Sequence, residues 1–182
     1  MSPMDEQEDV VAFAGQDNPL SNFFPTELKI FGATYSSAEQ AFQHVKAMRS
    51  GDLNKAESIS NAETALDAKR IGNQILVSDA WLDSRDEVMR EILESKIKQC
   101  EEIRETLGKI KKTNILAEAT WDTYWGTGLN NVGTIHTVMQ RCPGQNKLGR
   151  MLDNLARQMQ VNRSNSKQRS GTRASNKSTS GK

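Results

Sequence analysis

The stretch Ser36 to Arg49, SSAEQAFQHVKAMR, constrains this chain most, because it carries its own helix start and its own packing face. Ser36 can cap the start, and Glu39 stands three residues later, the spacing of a capping box. Ala38, Ala41, Phe42, Val45 and Met48 recur at helical spacing and form an apolar stripe. Glu39, Gln43 and Lys46 fall at i, i+4 and i+7 and share a neighbouring face. At a rise of ~1.5 Å per residue, Glu39 and Lys46 stand roughly 10 Å apart along the axis. That gap suits a small polar group of a ligand held between a carboxylate and an amine. On pattern alone the plainer role is the commoner one, with Glu39 completing the capping box and Lys46 a solvated flank.

With 182 residues, the chain suits one domain plus a tail. Charge is unevenly placed. Residues 1–10 carry acids and no base, whereas residues 162–182 carry Arg163, Lys167, Arg169, Arg173, Lys177 and Lys182 and no acid. The body between is close to neutral, which argues against a protein whose main task is gripping duplex phosphate. No apolar run approaches the ~20 residues that span a bilayer. The N-terminus has acids where a signal peptide needs bases, so no secretion signal is expected. Cys100 and Cys142 form no CxxC pair, which excludes a disulfide framework and points to a reducing, intracellular compartment, cytoplasmic or nuclear. His44 and His136 stand in no metal-ligand spacing, so no metal and no cofactor are expected.

Along the chain, Val10 to Ala14 reads as a short strand and Gly15 to Ser21 as a turn around Asn18-Pro19. Phe23 and Phe24 want burial, and Asn22 ahead of them needs a polar partner or a ligand. Leu28 to Tyr35, turning at Gly32, suggests a small β-hairpin. Asp52 caps a short helix through Ile59, and Asn61 caps another, Ala62 to Ile71, closed by Gly72. Asp83-Ser84 is the next start signal. The apolar residues from Met89 to Leu107 mark the longest helical pattern, broken near Cys100 and ended by Gly108. Ile115 to Thr120 reads as a strand, Trp121 to Gly128 as an aromatic, glycine-rich loop, and Asn130 to Gly144 as a poorly patterned insertion. Asn146 starts a last helix with Leu148, Met151, Leu152, Leu155 and Met159 on one face, a core element. From Asn162 onward the only hydrophobic residue is Ala174, too little to offset ordering entropy. The expected plan is a disordered acidic segment over 1–10, a domain over 11–161 and a disordered basic tail over 162–182.

Read in order, Ser21-Asn22-Phe23-Phe24-Pro25, Gly32, Tyr35, Ser37-Ala38-Glu39, Phe42-Gln43 and Lys46-Ala47 resemble the NADAR family, also called YbiA-like. The resemblance continues through Ala68-Lys69, Gly72, Trp81, Arg85, Met89, Lys96 and Gln99. It resumes at Leu116-Ala117-Glu118, Asp122, Trp125-Gly126-Thr127-Gly128 and Gly144 to Gly149. It implies a single compact domain, mainly α with a small β element (α+β). It also implies hydrolysis of N-glycosidic bonds to ribose. Activities in the family include removing ADP-ribose from guanine and cleaving phosphoribosylamino-pyrimidine intermediates of riboflavin synthesis. A lysine that forms a Schiff base with the opened ribose has been proposed for the family, and its motif position here is Lys46. Where the family often has His after the helix glutamate, this chain has Gln40.

Under that resemblance the expected catalytic residues are Lys46, Glu39 and Asp122. Lys46 would be the amine, given a pKa lowered by its partly apolar surroundings. Glu39 would be general base or steady a cationic ribose, and Asp122 would bond a sugar or polarise a water. Asn22, Phe23, Gln43, Trp81, Trp125, Gly126 and Asn146 are the expected substrate-binding residues. Asn22 would take ribose hydroxyls or phosphate, and the two tryptophans would stack on a base. Each has a plainer role: Asn22 bonding its own turn, the tryptophans in the core, Asn146 as a helix cap. Glu118, in an apolar strand, is expected to pair with a buried base. Lys69, Arg85 and Lys96 match family positions and could bind a diphosphate, although helix charges are usually solvated. The leading substrate is an ADP-ribosylated guanine in nucleic acid or a nucleotide, acted on by a monomer without a membrane or a metal. The riboflavin intermediates, or a non-catalytic ADP-ribose or NAD reader, are the alternatives.

Overall fold

A computed structural model describes residues 8–174. The order is β1 (Asp9–Phe13), β2 (Leu28–Ile30), β3 (Ala33–Tyr35), α1 (Ala38–Arg49), α2 (Leu53–Ser60), α3 (Ala65–Gly72), α4 (Asp79–Gln99), α5 (Glu101–Gly108), β4 (Asn114–Glu118), α6 (Asn131–His136) and α7 (Lys147–Ala174). A short 3-10 turn, Met139–Arg141, precedes α7. The fold is thus mainly helical with a small β element, as the resemblance implies.

Two two-stranded sheets frame the helices. β1 pairs β4 in parallel, Asp9 opposite Asn114 through Phe13 opposite Glu118. β2 and β3 form an antiparallel hairpin. Phe31 (φ 55°) and Gly32 (φ 74°) make its turn, the left-handed pair that suits strand twist. The main core joins Phe42 and Val45 of α1, Met89, Ile92 and Leu93 of α4, Leu116 of β4 and Leu148 and Leu152 of α7. Among the described residues no helix is long and apolar enough to cross a membrane.

The start of α1 lies one residue later than expected. Ser37, not Ser36, is the N-cap, accepting from the Gln40 amide at 3.1 Å. Gln40 Oε1 reaches back to the Ser36 amide at 2.7 Å, and its Nε2 donates to the Ile59 carbonyl at 3.0 Å. Gln40 therefore fills the box position that Glu39 was expected to hold. Glu39 is released from capping.

Other boundaries shift for local reasons. α3 starts at Ala65, capped by Thr64, and α4 at Asp79, capped by Ser78, so Trp81 lies inside a helix. The break at Cys100 and the stop at Gly108 are where the pattern puts them. Residues 130–144 hold a helix and a 3-10 turn rather than patternless loop.

The inner edges of the two expected disordered segments fall within described elements. Asp9 and Val10 belong to β1, because the ladder to β4 begins at Asp9. Residues 162–174 continue α7, well exposed as far as their side chains are described. A helix already nucleated by its packed first half extends at one hydrogen bond per residue, and Arg, Lys and Gln permit it. Gln160 pins the middle of α7 by donating to the Ile110 carbonyl at 3.3 Å. Residues 1–7 and 175–182 lie outside the described residues.

Candidate active site

Four pieces of chain meet around a cavity of about 450 Å³. α1 supplies Glu39, Phe42, Gln43 and Lys46; the 15–23 loop supplies Asn22 and Phe23. α3 and α4 supply Lys69, Trp81 and Arg85, and the end of β4 with its loop supplies Glu118, Thr120, Asp122 and Trp125. Eight of the ten expected site residues line this one space.

Gly126 and Asn146, expected as ligand contacts, are not among its lining residues. Gly126 is packed so closely that an added Cβ would stand 2.4 Å from Thr120 Oγ1 and 3.0 Å from the Glu118 carbonyl. Glycine is needed there for chain approach. Asn146, at φ 49°, spends its amide on β4, with Oδ1 accepting from the Glu118 amide and Nδ2 donating to the Leu116 carbonyl, both at 3.0 Å. It holds the strand from behind.

The lining is acidic, basic and aromatic at once. Glu39 is 7% exposed, and its Oε1 accepts from Gln43 Nε2 at 2.8 Å. Burial raises its pKa; the Gln43 hydrogen bond, Lys69 and Lys46 oppose that rise, and Asp122 adds to it. Burial lowers the Lys46 pKa, against the pull of Glu39 and Asp122. Lys46 makes no ion pair within 4.0 Å among the described residues. Asp122 Oδ1 accepts from the Tyr124 and Trp125 amides, both at 2.8 Å, and so folds the aromatic loop. Phe42 stands edge-on to Trp81 and Trp125, with ring centres 5.1 and 5.6 Å away. Lys69 lies 5.6 Å over Phe23, and Arg85 stacks 3.5 Å over Tyr124. Tyr124 is hydrogen-bonded to Asp86, which also takes Lys147 at 2.8 Å.

Five buried side-chain polar atoms have no hydrogen-bond partner among the described residues: Asn22 Oδ1, Gln43 Oε1, Arg85 Nε, Glu118 Oε2 and Thr120 Oγ1. All five belong to residues lining this cavity. Leaving such atoms unmade costs about 1–3 kcal/mol each, so their convergence marks a place built for a polar ligand. Gly72 serves the same end: an added Cβ would fall 1.9 Å from Gln43 Oε1.

The main residue misjudged from sequence is Glu118. Among the described residues no base pairs with it within 4.0 Å; instead it lines the cavity, and burial, with Glu39 and Asp122 nearby, pushes its pKa up to about 8. One signal was available: Leu116 is a core residue, and residue 118 shares its strand face. Lys69 and Arg85 also line the cavity. Lys96 does not: it is fully buried and donates to the Pro19 and Ser21 carbonyls at 2.7 and 2.8 Å. No group of three or more His, Cys, Asp or Glu that could hold a metal ion occurs among the described residues.

The chain is similar to several known proteins. An N-glycosidase YbiA from Shigella boydii is 27% identical over 144 residues, covering 78% of this chain and 81% of that one. A riboflavin biosynthesis protein of Vibrio vulnificus is 30% identical over 135 residues, and the chain spans only 33% of its length. The protein irg-1 of Caenorhabditis elegans is 27% identical over 146 residues, covering 78% and 69%. The solution structure of Escherichia coli YbiA matches with a TM-score of 0.67 at 26% identity, covering 86% of this chain and 88% of that one. The NADAR domain model matches residues 12–160, and the chain belongs to the NADAR family.

Proposed function

We propose that this protein is an N-glycosidase that cleaves the bond between a ribose and a base, with an ADP-ribosylated guanine as its substrate. The observation that carries the reading is Lys46: a half-buried amine with lowered pKa and, among the described residues, no ion pair within 4.0 Å, in the same cavity as Glu39, where the orphaned polar atoms converge. A lysine held that way has a neutral fraction able to attack carbon. Glu39 accepts a proton or steadies positive charge on the ribose. Phe42, Trp81 and Trp125 offer apolar faces to a base, and Asn22, Gln43 and Thr120 offer partners to hydroxyls. Lys69 and Arg85 supply charge for phosphates. When the ribose opens, Lys46 adds to its anomeric carbon, the base leaves, and water hydrolyses the resulting imine.

The second reading, hydrolysis of a phosphoribosylamino-pyrimidine, is favoured by the Vibrio relative's name. Incubation with both substrates separates the two by which base is released. Borohydride should leave a ribose-bearing adduct on Lys46. An active enzyme without an adduct at any pH would assign the chemistry to direct water attack. An inert protein that still binds ADP-ribose would be a reader.

A further inference from the structure

We propose that Glu118 is the acid of this site, giving its carboxyl proton to the departing base. The inference rests on the glycosidase reading and adds a role that the reading leaves empty. A heterocyclic base bound through nitrogen leaves poorly as an anion, so a proton must reach it as the bond to the anomeric carbon breaks.

Glu118 is placed for this. It ends β4 with its backbone clamped on both sides: the amide donates to Asn146 Oδ1 at 3.0 Å, and the carbonyl accepts from the Thr127 amide at 2.9 Å. The side chain enters the cavity, and Oε2 is buried without a partner. The charged groups around it are Glu39 from α1, Asp122 from the following loop and Lys69 from α3, with Lys46 and Arg85 lining the same space. None is an ion-pair partner within 4.0 Å among the described residues. Two carboxylates and burial together keep a carboxylic acid neutral, as its pKa of about 8 reflects. Burial raises the pKa of Glu39 as well; what sets it apart from Glu118 is that its Oε1 accepts from Gln43 Nε2 at 2.8 Å, whereas Glu118 Oε2 has no partner among the described residues.

The proton count closes. As the carbon–nitrogen bond breaks, its electron pair stays on the base nitrogen, which takes the Glu118 proton. Water later delivers its oxygen to the anomeric carbon and returns a proton to the Glu118 carboxylate.

The test uses the full chain and two substrates: ADP-ribosylated guanosine, and the same compound methylated on the guanine ring so that the base is already cationic. Glu118→Gln should lower kcat on the first by a hundredfold or more with KM changed less than threefold. On the methylated substrate the loss should shrink below tenfold, because that base leaves without a proton. The fall in wild-type activity above pH 8 should vanish in the variant. Infrared difference spectra at neutral pH should show a protonated carboxyl in the wild type that is missing in Glu118→Gln. Equal losses on both substrates, or no such carboxyl, would overturn the proposal while leaving the glycosidase reading standing. A wild type that releases no base from either compound would overturn that reading and this inference with it.

Discussion

Lys46 and Lys96 sit on packed neighbouring helices, α1 and α4, and burial lowers the pKa of both. Their surroundings differ. Lys96 donates to two backbone carbonyls, those of Pro19 and Ser21, and its nitrogen lies 5.8 Å over Phe24. Lys46 faces a cavity with no ion-pair partner within 4.0 Å among the described residues. A buried amine held by two backbone carbonyls fastens chain to chain; one that faces a cavity without such acceptors can meet a ligand. Lys96 fastens the loop that carries Asn22, whose carbonyl in turn accepts from the Glu39 amide at 3.0 Å. Lys96 thus supports the wall of the cavity that Lys46 faces.

The sharpest break of this comparison is Lys46→Ala. Turnover should fall to background while stability changes by no more than about 0.5 kcal/mol, since no paired group is orphaned. A near wild-type rate would exclude Lys46 as the nucleophile. Lys96→Met should do the reverse. Two buried carbonyls lose their donor, at a cost of about 2–4 kcal/mol read by denaturant unfolding. A variant as stable as wild type would show that the clamp contributes nothing.

Gly72→Ala comes next. Its Cβ displaces Gln43 from the cavity, and KM should rise about tenfold, the worth of one hydrogen bond. An unchanged KM would take Gln43 out of substrate binding.

The pH dependence of stability sharpens the contrast further. Glu118 has a folded pKa raised from 4.5 to about 8, so its contribution is full below 4.5 and lost as pH rises through 8. Lys96 has a folded pKa lowered from 10.5 to about 8, so its contribution is present above 10.5 and lost as pH falls through 8. Unfolding free energies measured from pH 4 to 10 should flatten below 8 in Glu118→Gln and above 8 in Lys96→Met. Slopes identical to wild type would contradict these shifts. Removing residues 162–182 should have the smallest effect, within about 0.5 kcal/mol, because the described part of that segment is largely exposed.

The site was more legible than its frame. The i, i+4, i+7 spacing of Glu39, Gln43 and Lys46 does put three polar groups on one wall, because a helix fixes such geometry without outside help. The cap was misplaced by one residue because Ser36 and Ser37 are adjacent and Glu39 and Gln40 serve the box equally well. Lys96 and Lys69 look alike in sequence, each a lysine on an amphipathic helix. Only the fold shows that one meets carbonyls and the other a cavity. The length of α7 beyond residue 161 was hidden because helix propagation needs no apolar residue once packing has nucleated it.

The parallel pairing of β1 with β4 has a consequence for assembly. Asn114 Nδ2 reaches Asp9 Oδ2 across a sequence separation of 105 residues, and cavity walls come from positions as distant as Gly15 and Trp125. Local helices form early, whereas such distant pairings wait for loop closure. In refolding, helical circular dichroism should therefore recover before the fluorescence of Trp125 and before activity. Coincident recovery of all three would mean that the ends meet as early as the helices form. The chain would then be helical before it is an enzyme, and in that interval the carboxylates and amines destined for the cavity are still exposed to water.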